Sequence, residues 1–298
     1  MNSRLSSLLF LALFLNRIPA VYAGDVPALP EAAAPPAVSA ERSLAELNSS
    51  PIQDNSFLVE EAYNQEDGVI QHISFFQRLS TGDWAFTQTE EWPVHSLKHQ
   101  LSLTLVATHA DDFSGSGWGD TFINYRYQLV GSGDTRLAIA PRLSLLVPTG
   151  NPVDGRGMGG PGLQTSLPIS FQLNKYIVTH WNVGATWVPR AQDSLHQTAG
   201  SLGTNLGQSF VWLASNRFNA LVETVWSSNP QVVASGKTAP QYNMYISPGV
   251  RWAHNFKNGL QVVPGVGVPV GVGPSSGQLG MIFYLSFEHG FRPAHSRQ

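Results

Sequence analysis

The sequence predicts an all-β protein, a closed antiparallel transmembrane β-barrel of about 12 strands that follows a flexible N-terminal segment. Three observations support this fold: an export signal, apolar and polar residues that alternate along residues 69–287, and connections that alternate between short and long. Alternation with a period of two places one set of side chains on each face of a strand. Short turns at one end, long loops at the other and an even strand count are typical of a transmembrane barrel.

The composition excludes several other classes. Only 12% of the 298 residues are charged, with 28 glycines and 20 prolines, and no run of 18 apolar residues follows the N-terminus, which argues against a helical membrane protein. A net charge of −3 points to neither nucleic acid nor an anionic surface as a partner. The absence of cysteine excludes disulfides, thiolate metal sites and cysteine nucleophiles.

Residues 1–23 are predicted to be a cleaved signal peptide. Arg4 gives the charged region, residues 8–15 the apolar region, and Val21-Tyr22-Ala23 the small-residue cleavage site. The alternative, a membrane anchor, is disfavoured because the apolar run is too short. No cysteine follows the cleavage site, so a lipid-anchored form is not expected.

Two segments separate the signal from the barrel. Residues 24–55 are rich in Pro and Ala and are predicted to be a disordered periplasmic segment, with at most one helical turn at residues 43–47. Residues 56–68 are predicted to be an extra N-terminal strand or a rim segment. Phe57, Val59 and Tyr63 would share one side of it, at the periplasmic rim or inside the lumen.

The barrel is predicted to occupy residues 69–291, and its clearest unit is the hairpin at residues 119–147. Thr121, Ile123 and Tyr125 alternate with Phe122 and Asn124 before a Gly-rich turn, and the alternation resumes after it. Each arm has the length of a tilted membrane-crossing strand. Ten further segments show the same alternation: residues 69–79, 84–92, 97–107, 163–171, 177–187, 202–212, 218–226, 242–252, 260–270 and 279–287.

Chemistry of the two faces supports the barrel. The apolar positions of the alternating segments include almost no charged residues. A charged side chain that faces lipid at mid-membrane would cost about 2–4 kcal/mol. Aromatic residues near strand ends fit interfacial girdles: Trp84, Trp92, Trp181, Trp187, Trp212, Trp226, Tyr242 and Trp252. A secreted β-sandwich also has alternating strands. The strand lengths, the loop asymmetry and the signal favour the barrel.

The last strand carries an insertion signal in the pattern of bacterial outer-membrane barrels. A polar residue, a glycine two positions later, and then aromatic and apolar residues at alternate positions form it: Gln278, Gly280, Phe283, Leu285 and Phe287. The insertion machinery of the outer membrane is therefore an expected partner during biogenesis, together with outer-membrane lipid.

The body of the chain also resembles a known family. Gly119-Asp120-Thr121, residues 125–127, residues 140–145, Pro148-Thr149-Gly150 and residues 162–165 carry the resemblance. They resemble the family named for the MetA pathway of phenol degradation, a group of predicted outer-membrane barrels. The resemblance implies transport linked to aromatic catabolism, and it supplies no catalytic residues.

The polar positions of the alternating segments include nine charged residues that are candidates for the lumen wall, with a slight excess of cations. They are Arg78, Lys98, Asp120, Arg126, Arg136, Arg142, Glu223, Arg251 and Glu288. If they face inward, they could line a weakly cationic lumen that steers anions. They could equally pair with one another and fill the barrel, because the size of a 12-stranded barrel does not decide between an open and a plugged lumen.

Three other motifs are weaker. Residues 155–160 match G-x-G-x-x-G, but a strand follows them instead of a helix, which favours an external loop. Asp111, Asp112 and Asp120 could hold a divalent cation, although a solvated acidic loop is favoured and no metal or cofactor is expected. His72 with Ser74, or His180 with Asn182, could indicate a barrel lipase. Polar residues facing the pore explain them more simply.

These observations predict a non-enzymatic channel or transporter in the bacterial outer membrane for small organic solutes, aromatic or anionic. A structural or adhesive barrel and a lipid-modifying enzyme are the alternatives. Nucleic acid is not an expected partner.

Overall fold

The structure is a computed structural model that describes residues 44–49, 51–110 and 115–290. The predicted signal peptide, Asp111 and Asp112 lie outside these residues. The described chain contains one helix, α1 (Leu44–Ser49), the 3-10 turns Pro152–Asp154 and Gly273–Ser275, and strands at these positions. The strands are β1 Val69–Leu79, β2 Trp84–Val94, β3 Ser96–His109, β4 Ser116–Trp118, β5 Thr121–Tyr127, β6 Leu137–Ile139, β7 Arg142–Val147, β8 Gly162–Asn174, β9 Ile177–Gln192, β10 Thr198–Ser215, β11 Phe218–Ser228, β12 Gln231–Ala234, β13 Lys237–Ala239, β14 Tyr242–Trp252, β15 His254–Asn255, β16 Gln261–Gly267, β17 Val270–Gly271 and β18 Gly280–Gly290.

Sixteen of these strands form one closed antiparallel barrel. Four barrel strands are interrupted, and each consists of two segments: β4 with β5, β6 with β7, β14 with β15, and β16 with β17. The barrel therefore has the twelve strands that the sequence predicted. The first and last strands close it, with Val69 opposite Gly290 and Leu79 opposite Gly280. Closure leaves no strand edge without a partner.

The two ends of the barrel differ. The turn end carries the start of β1, the end of β18 and the connections at residue 95 and residues 128–136, 175–176, 216–217 and 256–260. The loop end carries residues 80–83, 110–120, 148–161, 193–197, 229–241 and 272–279. Pairing at Thr198 opposite Gln192 extends the β9–β10 hairpin into a connection that the sequence predicted as a long loop, and β12 and β13 form a small hairpin in another.

The outward face is mainly apolar. Ile123, Leu143, Leu145 and Val183 are exposed there, and their polar neighbours in sequence face inward. Four carboxylates lie on the described barrel strands, Glu90, Glu91, Glu223 and Glu288, and only Glu90 has the outward register. No helix in the described ranges is long and apolar enough to cross a membrane.

Two predictions are wrong. The alternation of β1 predicted that Arg78 faces the lumen, but Arg78 is exposed on the outward register, while Ile73 and Leu79 are buried on the inward one. Of the alternatives given for residues 56–68, the strand is wrong, because residues 57–63 form none, whereas the location inside the lumen agrees with the structure. Both errors have one cause: the N-terminal segment occupies the lumen, so inward apolar residues of β1 pack against protein instead of facing lipid.

Candidate functional site

Residues 51–65 lie inside the barrel, and we call them the lumen plug. The chain enters at the turn end, where the side-chain amides of Asn216 and Asn255 donate to carbonyl oxygens of α1. It crosses the turn-end half of the lumen and then leads into β1. The prediction that residues 24–55 form one disordered segment is therefore wrong for residues 51–55, which interact with the barrel wall.

The barrel wall satisfies the backbone of the lumen plug. An extended segment without sheet partners has free N–H groups, and burying them without hydrogen bonds is costly. Five wall side chains accept those hydrogen bonds, over distances of 2.7–3.0 Å. They are Glu223 (from Leu58 and Val59), Asn182 (from Glu60), Ser170 (from Ala62), Gln128 (from Asn64) and Gln100 (from Gln65).

Arginines of the wall bind the carbonyl oxygens of the lumen plug. Arg251 is 1% exposed and donates to the carbonyl oxygens of Asp54, at 2.6 Å, and Asn55, at 2.5 Å. Arg126 donates to the carbonyl oxygens of Glu61 and Tyr63. Hydrogen bonds from a charged donor are stronger than neutral ones. These two arginines therefore hold the chain at both ends of the plug.

Charged side chains of the lumen plug also have partners. Glu60 forms an ion pair with Arg142 of β7, at 2.8 Å. The buried Asp54 carboxylate accepts hydrogen bonds from Gln71 at 3.0 Å, from the Tyr284 hydroxyl at 2.5 Å and from Ser286. Two of the three carboxylates of the plug, those of Asp54 and Glu60, therefore have side-chain partners on the wall.

Phe57 is the apolar anchor of the lumen plug. Its ring lies 5.3 Å from the ring of Tyr284, centroid to centroid, and against three glycines of neighbouring strands. A Cβ on Gly249, Gly265 or Gly267 would approach the Phe57 ring to 2.5, 2.6 or 3.0 Å, closer than carbon atoms pack. These glycines therefore make room for the ring.

A cavity of about 340 Å³ lies on the loop-end side of the lumen plug, and we call it the chamber. The plug forms its floor through residues 55–60. One part of the wall is apolar and aromatic, with Ile73, Phe75, Tyr245 and Tyr284. The other part is rich in amides, which include Asn124, Gln164, Asn182, Asn205 and Asn243.

Several buried polar atoms that line the chamber have no protein partner. They include Asn124 Oδ1, Asn205 Oδ1 and Asn243 Nδ2. Asn124 is 1% exposed, and its amide nitrogen is already engaged by Ser102 and Thr104. Because buried polar groups normally have hydrogen-bond partners, these amides have unused hydrogen-bonding capacity, which a molecule in the chamber reaches when the side chains rotate toward it.

The loop-end mouth is partly covered by residues 148–161. Asp120, just before β5, accepts hydrogen bonds from the backbone N–H groups of Gly150, at 3.0 Å, and Met158, at 2.7 Å. Met158 packs on a buried cluster that includes Val106 and Phe122. The G-x-G-x-x-G match is thus part of a loop that closes over the barrel.

The nine predicted lumen candidates separate by location. Five face the interior: Arg126, Arg142, Glu223, Arg251 and Glu288. Asp120 holds the covering loop, and Lys98 and Arg136 are exposed near the turn end, with Arg136 5.1 Å from the ring centroid of Phe171. Arg78 points outward.

Sequence reasoning missed the residues that hold the plug backbone. Ser170, Gln100 and Gln128 were only members of polar lists, and Asp54 lay in a segment predicted to be disordered. His180 and Asn182, considered as a hydrolytic pair, both serve the plug: Ser170 is 2.7 Å from His180 Nδ1, and Asn182 binds the backbone of Glu60. A signal did exist, since amides and hydroxyls recur at inward positions near the turn end of several strands.

The predicted insertion signal lies on and next to β18. Phe283, Leu285 and Phe287 point outward, and Gly280 begins the strand opposite Leu79. Gln278 precedes the strand and accepts a hydrogen bond from the Tyr245 hydroxyl. The signal is therefore part of the strand that closes the barrel against β1.

Among the described residues, no group of three or more His, Cys, Asp or Glu side chains could hold a metal ion. No family model matches the chain, and no curated protein matches it. The resemblance to the MetA family thus stays a prediction.

Solved structures do match. The COG4313 outer membrane channel from Pseudomonas putida F1 superimposes with a TM-score of 0.56 at 13% identity, over 77% of this chain and 98% of that one. The NanC porin covers 75% of this chain and 100% of its own, at 9% identity, but its TM-score of 0.49 is too low to support an argument. The chain therefore shares the barrel fold of an outer-membrane channel, and at this identity the likeness extends to the fold alone.

Proposed function

We propose that this protein is a channel of the bacterial outer membrane for small organic solutes, and that the lumen plug is its gate. The observation that carries the proposal is the chamber, an internal space whose floor is a segment held by side-chain hydrogen bonds. Such a floor can leave without breaking the barrel, because no strand pairing joins it to the wall. The wall keeps its strand-to-strand hydrogen bonds when the plug moves.

Four features support placement in the outer membrane. The outward face is mainly apolar. Exposed tryptophans lie near both ends of the barrel, Trp187 toward the loop end and Trp212 and Trp252 toward the turn end, as in the aromatic girdles of membrane barrels. The sequence predicts export and a C-terminal insertion signal. Lipid and the insertion machinery are the partners that this placement requires.

Wall chemistry favours aromatic over anionic solutes. Arg142 is paired with Glu60, and Arg126 and Arg251 bind plug carbonyl oxygens, so these cations are engaged while the plug is in place. The chamber combines an aromatic side with unpartnered amides, which suits a ring that carries a hydroxyl or carbonyl group. This preference agrees with the aromatic catabolism that the family resemblance implies.

A reversible disulfide tests the gate. Ser56 of the plug and Ser209 of β10 have their hydroxyl oxygens 2.7 Å apart, and the chain has no native cysteine. In the double variant Ser56→Cys, Ser209→Cys, oxidation should lock the plug, because this spacing allows an S–S bond of about 2.0 Å. Each single variant is a control.

Conductance in planar bilayers and liposome swelling with phenols and with aliphatic acids are the measurements. We expect the oxidised double variant to be closed, and reduction to restore flux, with phenols faster than aliphatic acids of similar size. Equal flux in the oxidised and reduced forms would show that the plug is not the gate. No flux from any reduced form, or from the wild type, would reject the channel.

A further inference from the structure

The outward face of the barrel contains a polar cluster on β1, β2 and β18, which extends from mid-height, at Ser74 and Gln88, to the turn end, at His289. Ser74 Oγ donates to Gln88 Oε1 at 2.6 Å, and Gln88 Nε2 donates to Glu90 Oε1 at 2.9 Å. Glu90 Oε2 contacts His72 Nδ1, and His72 Nε2 lies 3.0 Å from His289 Nε2. We call these five side chains the outward cluster.

This location is costly if the face meets lipid. Ser74 and Gln88 lie opposite each other near the middle of their strands, and Glu90 is the outward carboxylate noted above. Glu90 and His72 keep 33% and 21% of their side-chain surface exposed. Polar and ionisable side chains on a lipid-facing surface are unfavourable, and in membranes such groups commonly join protein surfaces through hydrogen bonds.

We propose that the outward cluster is the contact through which two copies of this chain form a symmetric dimer in the membrane. Both copies must have the same orientation in the bilayer, so the two-fold axis runs along the membrane normal. An axis of this kind at β1 brings β2 of each copy against β18 of the other.

The two sides of β1 present complementary groups under that symmetry, a carboxylate on one side and an imidazole on the other. Glu90 lies opposite His72 on β2, and His289 lies on β18 at the other side of β1, opposite Ile70 and with its ring against His72. The two-fold axis therefore sets Glu90 of each copy opposite His289 of the second copy, twice per dimer. Apolar side chains frame this polar centre, among them Phe76, Phe86, Phe283 and Leu285.

A hydrolytic role for His72 and Ser74 is the competing explanation, and the geometry disfavours it. The Ser74 hydroxyl is bonded to Gln88, and His72 Nε2 faces His289. A nucleophile needs its base within hydrogen-bond reach. The mid-height position also places Ser74 among acyl chains, away from the ester groups of lipids.

Cysteine cross-linking in native outer membranes tests the dimer. Ser74→Cys lies on β1, next to the proposed axis, and oxidation should link it to its own equivalent as a dimer on a non-reducing gel. Thr224→Cys is the matched control, because Thr224 is also an outward polar residue, on β11, which lies four strands from β1 around the barrel. Equal cross-linking of the two variants would overturn the proposal.

A charge exchange gives an independent test in detergent. Glu90→His and His289→Glu should each shift the mass measured by light scattering from dimer to monomer, and the double exchange should restore the dimer. Monomeric wild type, or a double variant no better than the singles, would contradict the proposal. Phospholipid hydrolysis by the wild type that Ser74→Ala abolishes would instead identify a hydrolytic site. Channel conductance is a separate readout, since none of these residues faces the lumen.

Discussion

The two halves of the lumen use the same kinds of side chain differently. In the turn-end half, Glu223, Gln100 and Gln128 bind the backbone of the lumen plug. On the chamber side of the lumen plug, Asn124 and Asn243 have polar atoms without a partner among the described residues. Inward polar residues are therefore not of one kind: those near the turn end fold an otherwise unstructured segment, and those of the chamber remain able to bind a solute.

This difference has an energetic basis. The plug residues gain wall hydrogen bonds only by giving up their conformational freedom, which costs about 1–2 kcal/mol per residue. Many modest contacts hold a gate of this type in the lumen. Removal of one of the stronger contacts should therefore shift the equilibrium between the closed state, with the plug in place, and the open state. The chamber contributes little to that equilibrium, and substitutions there should alter solute selection instead.

Arg251→Met should have the largest effect. It removes two charge-assisted hydrogen bonds to plug carbonyl oxygens, at about 1.5–3 kcal/mol each, and leaves those oxygens buried. We expect a large rise in open probability in planar bilayers and faster maleimide labelling of a Ser56→Cys reporter. Arg190→Met, an exposed cation at the loop end, is the control. Unchanged labelling would mean that Arg251 does not hold the plug.

Gly265→Ala should have an intermediate effect. The added Cβ would lie 2.6 Å from the Phe57 ring, and overpacking of this kind costs about 1–3 kcal/mol. Conductance should rise while the barrel still resists denaturation on a semi-native gel. Gly200→Ala provides the comparison, because its nearest contact is 3.6 Å away. If both variants have the same conductance, the space that Gly265 leaves for the Phe57 ring is not important to gating.

Asp120→Asn should loosen the loop-end cover and leave the plug in place. The amide nitrogen would face one of the two N–H groups that Asp120 now accepts, at a cost of about 1–2 kcal/mol. Limited trypsin digestion at Arg156 should accelerate, with labelling of the plug reporter unchanged. Faster labelling of the reporter would show that the two ends of the lumen are coupled.

Asn205→Ala should have the smallest effect, restricted to solute choice, because Asn205 lines the chamber and its Oδ1 has no partner among the described residues. Loss of one chamber hydrogen bond of about 1 kcal/mol should slow phenol uptake about fivefold in a reduced Ser56→Cys, Ser209→Cys background. Uptake of a saturated hydrocarbon alcohol of the same size is the reference. An equal loss for both solutes would argue against recognition by the amide side of the chamber.

The comparison also shows why sequence reasoning failed where it did. Arg126 and Arg251 were correctly placed on polar lists, but their partners lie 63 and 196 residues away in sequence, at Tyr63 and Asn55. No local pattern encodes such contacts. The wrong assignment of Arg78 has the same origin. Alternation shows that β1 has two faces, but it does not show which face is inward, and here the apolar face is inward because it packs against the lumen plug.

By itself, the sequence determined the positions of the strands, their number of twelve, the closed all-β fold and the difference between the two ends of the barrel. These follow from a period-two pattern and from turn residues, both of which act over a few positions. Only the tertiary structure decided that residues 51–65 fill the turn-end half of the lumen, that Asp120 holds a covering loop, and that Glu90 and His289 flank His72 outside. Those relations exist only after β18 meets β1, because closure is what brings distant segments around one interior and one outer surface.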